Sequence, residues 1–192
     1  MRKQQFDDDV RTLVRIAQER ARTLGHPGIG CEHLLYAIAH SPTMAGVVAR
    51  EHGVTPAGVA AQTERLLARP RSVFDLLDGD ALATIGIDLQ AVRNAVEVTF
   101  GPRTVSTPGI RRRSRRRVQL PGHLPVTGRA RSCLEAAARE AGRNGAAHVA
   151  VHHLGAAVVA AEGGLVPPIL TALGVSAPAL CSAILERARP KP

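Results

Sequence analysis

The chain has 192 residues, enough for one ordinary domain or two small ones, and 45% of them are hydrophobic, enough to build a core. With one Tyr, three Phe and no Trp, that core must come from Ala, Val, Leu and Ile, which favours closely packed helices over a β-sandwich. The formal charge of +9 sits mainly in one run, Arg111-Arg112-Arg113-Ser114-Arg115-Arg116-Arg117; without it 19 basic residues face 16 acidic ones, so the folded part is near balance.

The first predicted helix opens at Asp7, Asp8 and Asp9, which complement its dipole. Apolar residues then fall at Val10, Leu13, Val14, Ala17, Ala21 and Leu24, the spacing of one helical face. The stripe ends at Gly25, where a left-handed C-terminal cap is expected. A short connector leads to a second helix over Leu34 to Ile38. A third, around Met44 to Arg50, closes on Gly53-Val54-Thr55-Pro56: a glycine to end it, an apolar residue folding back, then Thr and Pro to start a fourth.

The same grammar returns 120 positions later. Ala130, Cys133, Leu134, Ala137 and Ala141 repeat the stripe, Gly145 ends it, Leu154 to Ala161 repeat the second helix and Ile169 to Leu173 the third. Gly174-Val175-Ser176-Ala177-Pro178 closes it 121 positions after Gly53, so the second copy holds one extra residue, assigned to Glu162-Gly163-Gly164. Between the copies, Gly86-Ile87-Asp88 and the stripe Leu89, Val92, Val96 and Phe100 read as a helical hairpin over Ser72 to Phe100. Residues 102 to 123, rich in Gly, Pro, Ser and Arg, read as a flexible linker. The expected fold is all-α, with repeat one over 1-69, a helical insert over 70-101, a basic linker over 102-123 and repeat two over 124-189.

Gly25-His26-Pro27-Gly28-Ile29-Gly30-Cys31-Glu32-His33-Leu34-Leu35 resembles the signature of the Clp repeat, the N-terminal domain of the Clp AAA+ unfoldases, and of the ClpC type in particular. The resemblance spans residues 6 to 67 closely and 126 to 188 in pattern. The Ile-Gly-Ile-Asp-Leu insert and the arginine-heavy, lysine-poor composition are similar to free-standing Clp N-domain proteins of high-GC actinobacteria. It implies two pseudo-twofold four-helix units and partners among Clp ATPase and protease components, their adaptors and substrates, phosphoarginine marks or cyclic peptides. It also implies an adaptor, competitor or decoy. The only lysines, Lys3 and Lys191, follow no Gly-rich phosphate loop, so ATP hydrolysis by that route is excluded.

Candidate binding residues follow. Glu32 matches the position that pairs with the guanidinium of phosphoarginine, while helix N-terminal amides take the phosphate; its structural alternative is a first-turn acid serving the helix dipole. In copy two that residue is His152. Cys31 and Val151 stand where the family has a capping Thr, and Cys31 reads either as an activated thiol or as a small buried filler. His33 and His153 read as structural, each tying its connector to the neighbouring repeat. Lys3, Phe6 and Val126 mark the expected partner-binding edge, Lys3 and Val126 standing where relatives that bind cyclic peptides have aromatic residues.

His148, His152 and His153 cluster in sequence, but no Cys or acid completes a tetrahedral set beside them, so no metal or cofactor is assigned. Arg111, Arg112, Arg113, Arg115, Arg116 and Arg117 read as a solvated tether or, as the alternative function, as a nucleic-acid contact. No GxSxG, HExxH or dinucleotide fingerprint occurs, and no enzyme activity is expected. Three cysteines without paired spacing argue against a disulfide framework. The first residues, MRKQQFDDDV, lack an apolar targeting stretch, and no run is long enough to cross a membrane, so a soluble cytoplasmic protein is expected.

Overall fold

Asp7 turns the chain into its first helix. Its carboxylate accepts the amide of Val10 at 2.7 Å, capping α1 (Asp8–Leu24). The helix ends as its glycine predicts: Gly25 sits at φ 68°, and the amide of His26 reaches back to the carbonyl of Ala21 at 2.9 Å. The second copy repeats this at Gly145, φ 66°, with Ala146 bonding the carbonyl of Ala141 at 2.9 Å. The structure, a computed structural model, describes residues 5–68, 88, 91, 92, 94, 95 and 123–188.

Repeat one comprises β1 (Gln5–Phe6), α1, α2 (Cys31–His40), α3 (Met44–Glu51) and α4 (Pro56–Ala68). Repeat two comprises α5 (Gly128–Arg143), β2 (His148–Val149), α6 (Val151–Val159), α7 (Val166–Ala172) and α8 (Ala177–Ala188). The all-α tandem repeat is therefore as expected. The helices of the two repeats fall in one compact unit up to Glu64 and from Arg117 onward. Among the described residues no single helix is long and apolar enough to cross a membrane.

Both predicted stripes face the core. Val10, Leu13, Ala17, Ala21 and Leu24 are buried on α1, and Ala130, Cys133, Ala137 and Ala141 on α5. With small residues on these faces, α1 packs on α2 and α5 on α6; α2 and α6 meet across the pseudo-twofold seam, and α3 packs on α8. At the edge of that contact Arg187 pairs with Glu51 at 2.8 Å. A Cβ on Gly155 of α6 would still be in ordinary contact with Ile184, at 3.6 Å.

The repeats also exchange strands. β1 pairs in parallel with β2, Gln5 opposite His148 and Phe6 opposite Val149, and Asp7 donates its amide to the carbonyl of Val149 at 3.2 Å. The mirror event joins Val126 to Ile29 as a parallel bridge: the amide of Ile29 bonds the carbonyl of Pro125 at 2.8 Å, and that of Thr127 bonds the carbonyl of Ile29 at 3.0 Å. Each repeat thus offers the segment before its first helix to the connector of the other.

The copies differ in their α2–α3 and α6–α7 turns. The first is Ser41 to Thr43, closed by Arg50, which donates to the carbonyls of Ala39 at 2.5 Å and Ser41 at 2.8 Å. The second runs from Ala160 to Leu165 and contains Gly163 and Gly164, both at positive φ, where the extra residue is expected. Of the predicted insert only Asp88 and residues 91, 92, 94 and 95 are described; the Asp88 carboxylate accepts the amide of Ala91 at 3.1 Å, as a helix cap does. The remainder of the insert and the predicted linker up to residue 122 lie outside the described residues.

Gly46 is buried where α3 crosses the end of α2, and a Cβ there would overlap the carbonyl oxygen of Ser41 and lie 2.6 Å from that of Ile38. Gly46→Ala is expected to lower stability by about 1–3 kcal/mol, read as a fall in the urea midpoint with an unchanged slope.

Candidate functional site

The connector between α1 and α2 gathers the signature residues. Gly30 and Ala150, rather than Cys31 and Val151, are the N-caps of α2 and α6, and neither offers a side-chain cap. The expected loss of a capping Thr therefore falls one residue off. The histidine at the third helical position does part of that work: Nδ1 of His33 accepts the amide of Gly30 at 2.8 Å, and Nδ1 of His153 accepts that of Ala150 at 3.2 Å. Each imidazole thus holds its own connector, which corrects the expectation that it reaches the neighbouring repeat.

The tautomer of His33 follows. An amide N–H can only donate, so Nδ1 of the neutral ring carries no proton and Nε2 carries it. Nε2 lies 2.8 Å from Nδ1 of His26 and donates to it. Burial, above all, pushes the His33 pKa down to about 3, with the charges of His26 and Arg20 acting in the same direction. Glu32 approaches Nδ1 at 3.5 Å. Against a neutral ring this contact is no ion pair.

His26, Glu32 and His33 bring ligand-type atoms within 4.8 Å of one another, a convergence that spacing alone did not reveal. A metal on Nε2 of His33 would force the ring proton onto Nδ1, against the Gly30 amide. The cluster is better suited to fixing the connector than to holding an ion.

Glu32 is held close to the backbone. A Cβ on Gly30 would collide with its carboxylate, and its side chain is only 15% exposed. In repeat two both residues change, to Ala150 and His152, so room for the carboxylate and the carboxylate itself are lost together. His152 packs on His153 with ring centroids 4.0 Å apart, and desolvation lowers its pKa.

Cys31 turns inward, its sulfur 3.7 Å from that of Cys133 in the other repeat. Both thiols are buried. The hydrogen bond shared with Cys133 and burial push the Cys31 pKa up, whereas the same bond pushes that of Cys133 down. Cys31 is therefore a buried, protonated thiol rather than an activated one. Phe6 and Val126 lie in the two exchanged strands, both half-buried. Lys3 and the arginines at 111, 112, 113, 115, 116 and 117 lie outside the described residues.

Residues 5–80 match the Clp repeat (R) N-terminal domain. The fold of the chain is also similar to the crystal structure of the N-terminal domain of ClpD, a caseinolytic protease associated chaperone from Arabidopsis thaliana. That likeness has a TM-score of 0.54 at 17% identity and covers 97% of this chain and 96% of the other. A structure from a malarial protein secretion system aligns with a TM-score of 0.52 at 11% identity, covering 95% and 94% of the two chains. At 97% and 95% of this chain, both alignments extend through the second repeat as well as the first.

The buried neutral His33 has a consequence for stability. In the unfolded chain an imidazole titrates near 6.5, so between that pH and about 3 the unfolded chain binds the extra proton. The contribution is complete above about pH 6.5 and is lost on acidification toward pH 3, at up to about 1.4 kcal/mol per pH unit. Urea titrations from pH 7 to 4 are expected to show this slope as a difference between the wild type and His33→Gln. Parallel curves would show that His33 does not titrate this way.

Proposed function

We propose that this chain is a non-catalytic module that binds partners of the Clp proteolysis system, as an adaptor, a competitor or a decoy. The match of residues 5–80 to the Clp repeat carries this reading. It is supported by the likeness in fold to the N-terminal domain of a caseinolytic protease associated chaperone. The sequence holds no phosphate-loop lysine and no hydrolase, metalloprotease or dinucleotide fingerprint, so the module works by binding.

Glu32 is the charged residue of the connector site. It sits in the first turn of α2, where a carboxylate can pair with a guanidinium and the helix N-terminal amides can accept a phosphate. Phosphoarginine satisfies both. Because His152 replaces the acid in repeat two, the reading assigns one such site. Cyclic peptides are a second ligand class, at the edge marked by Lys3, Phe6 and Val126. The nucleic-acid alternative rests on the arginine run alone, and nothing among the described residues adds to it.

Calorimetry with a phosphoarginine-bearing peptide on the whole chain is expected to show saturable binding. Glu32→Gln should weaken it by about tenfold or more, whereas serines in place of the six arginines should leave it intact. Affinity capture from lysate is expected to retain Clp ATPase or protease components. No peptide binding and no Clp component captured would overturn the reading; salt-sensitive nucleic-acid binding lost with the arginines would move the function to that run.

A further inference from the structure

The two repeats part company where the end of α5, its connector, the start of α6 and the end of α8 meet. In repeat one the matching place is filled from within. Leu24 is buried at the end of α1, and the His26 ring takes the hydrogen bond offered by Nε2 of His33 at 2.8 Å. The residues 120 positions later are Asn144 and Ala146. With the larger side chains gone, a cavity of about 330 Å³ opens, lined by Glu140, Asn144, His148, His152, His153 and Leu185. That volume lies at the lower end of the range for small-ligand sites.

His153 gives the cavity its chemistry. The residue is only 3% exposed, and its Nδ1 is committed to the Ala150 amide at 3.2 Å. By the argument made for His33, the neutral ring carries its proton on Nε2. The ring also packs on His152 at a tilt and feels the charges of Glu140 and Asp7. Ala146 cannot accept that proton, and no described group takes the place of His26. Nε2–H is open to the cavity and not sealed from solvent, so a ligand acceptor gains by taking the place of water there. Glu140 lines the same cavity, but the hydrogen bonds described for its carboxylate come from Asn144 at 3.2 Å and Arg143 at 3.4 Å, and none comes from His153.

We propose that this cavity in repeat two is a binding site for a planar hydrogen-bond acceptor of imidazole size, such as a histidine side chain of a partner peptide, bound through Nε2–H of His153. Repeat one is the template, with the ligand's ring supplied there in cis by His26. The proposal is independent of the Clp-partner reading and of Glu32.

Free imidazole is the probe. At about pH 8, where free imidazole is mostly neutral, it is titrated into the full-length chain while the ring signals of His153 are followed by NMR. Saturable binding centred on His153 is expected. Pyrrole, a ring of the same size without an acceptor nitrogen, should bind about tenfold more weakly. Ala146→His, which restores the internal ring, and Ala146→Leu, which fills the space without an acceptor, should each abolish the imidazole response. Thermal denaturation shows that either variant is folded, and one folded variant suffices. A response that fails to saturate, that survives in a folded cavity-filled variant, or that pyrrole reproduces with equal strength would overturn the proposal.

Discussion

The reciprocal exchange of strands between the repeats is the constraint on which the rest of the structure depends. The segment ahead of α1 belongs to repeat one by sequence but bonds the connector of repeat two, and the segment ahead of α5 does the converse. Each pairing is two residues long or less, far too short to persist as an isolated ribbon. It holds because the helices it fastens are already packed, and packing of such small residues in turn requires the connectors at fixed height. Helix contact and strand exchange therefore stabilise each other and make the two copies one cooperative body.

Within that body the duplication explains what each copy was free to change. Glycine caps and apolar stripes recur because both copies meet the same partner surface. The histidine at the third position of α2 and α6 recurs because each N-cap lacks a side chain that could satisfy backbone amides. Divergence falls on groups one step outward: Glu32 against His152, Gly30 against Ala150, His26 against Ala146. One copy keeps a carboxylate over its connector and a filled interior. The other loses both and gains an open, imidazole-lined cavity.

Much of this was legible in the residues. The helices follow from apolar spacing and from glycines at Gly25, Gly53, Gly145 and Gly174, because a left-handed residue after a helix is a local requirement that the chain declares locally. The strand exchange was not, since two-residue strands carry no periodicity. Nor was the meeting of Cys31 with Cys133, 102 positions apart, because packing across a seam leaves no spacing signal. The position of the cap was misjudged by one residue, as helix ends commonly are. His26 was overlooked although it stands in the signature itself; setting it against Ala146 would have exposed the unequal interiors of the two copies.

The strand exchange also fixes what kind of insertion separates the copies. The chain leaves the shared body after α4 and must come back to it at Leu124, which is buried and donates its amide to Gln18 of α1 at 3.3 Å. The described residues on either side of the intervening stretch, up to Glu64 and from 123 onward, thus both belong to the same unit. For any stretch whose two ends are held on one unit, the entropy of bringing the ends together rises only with the logarithm of its length, about 0.6 kcal/mol for each doubling. Evolution can lengthen, shorten or recharge this stretch, arginine run included, while barely taxing the fold that carries it.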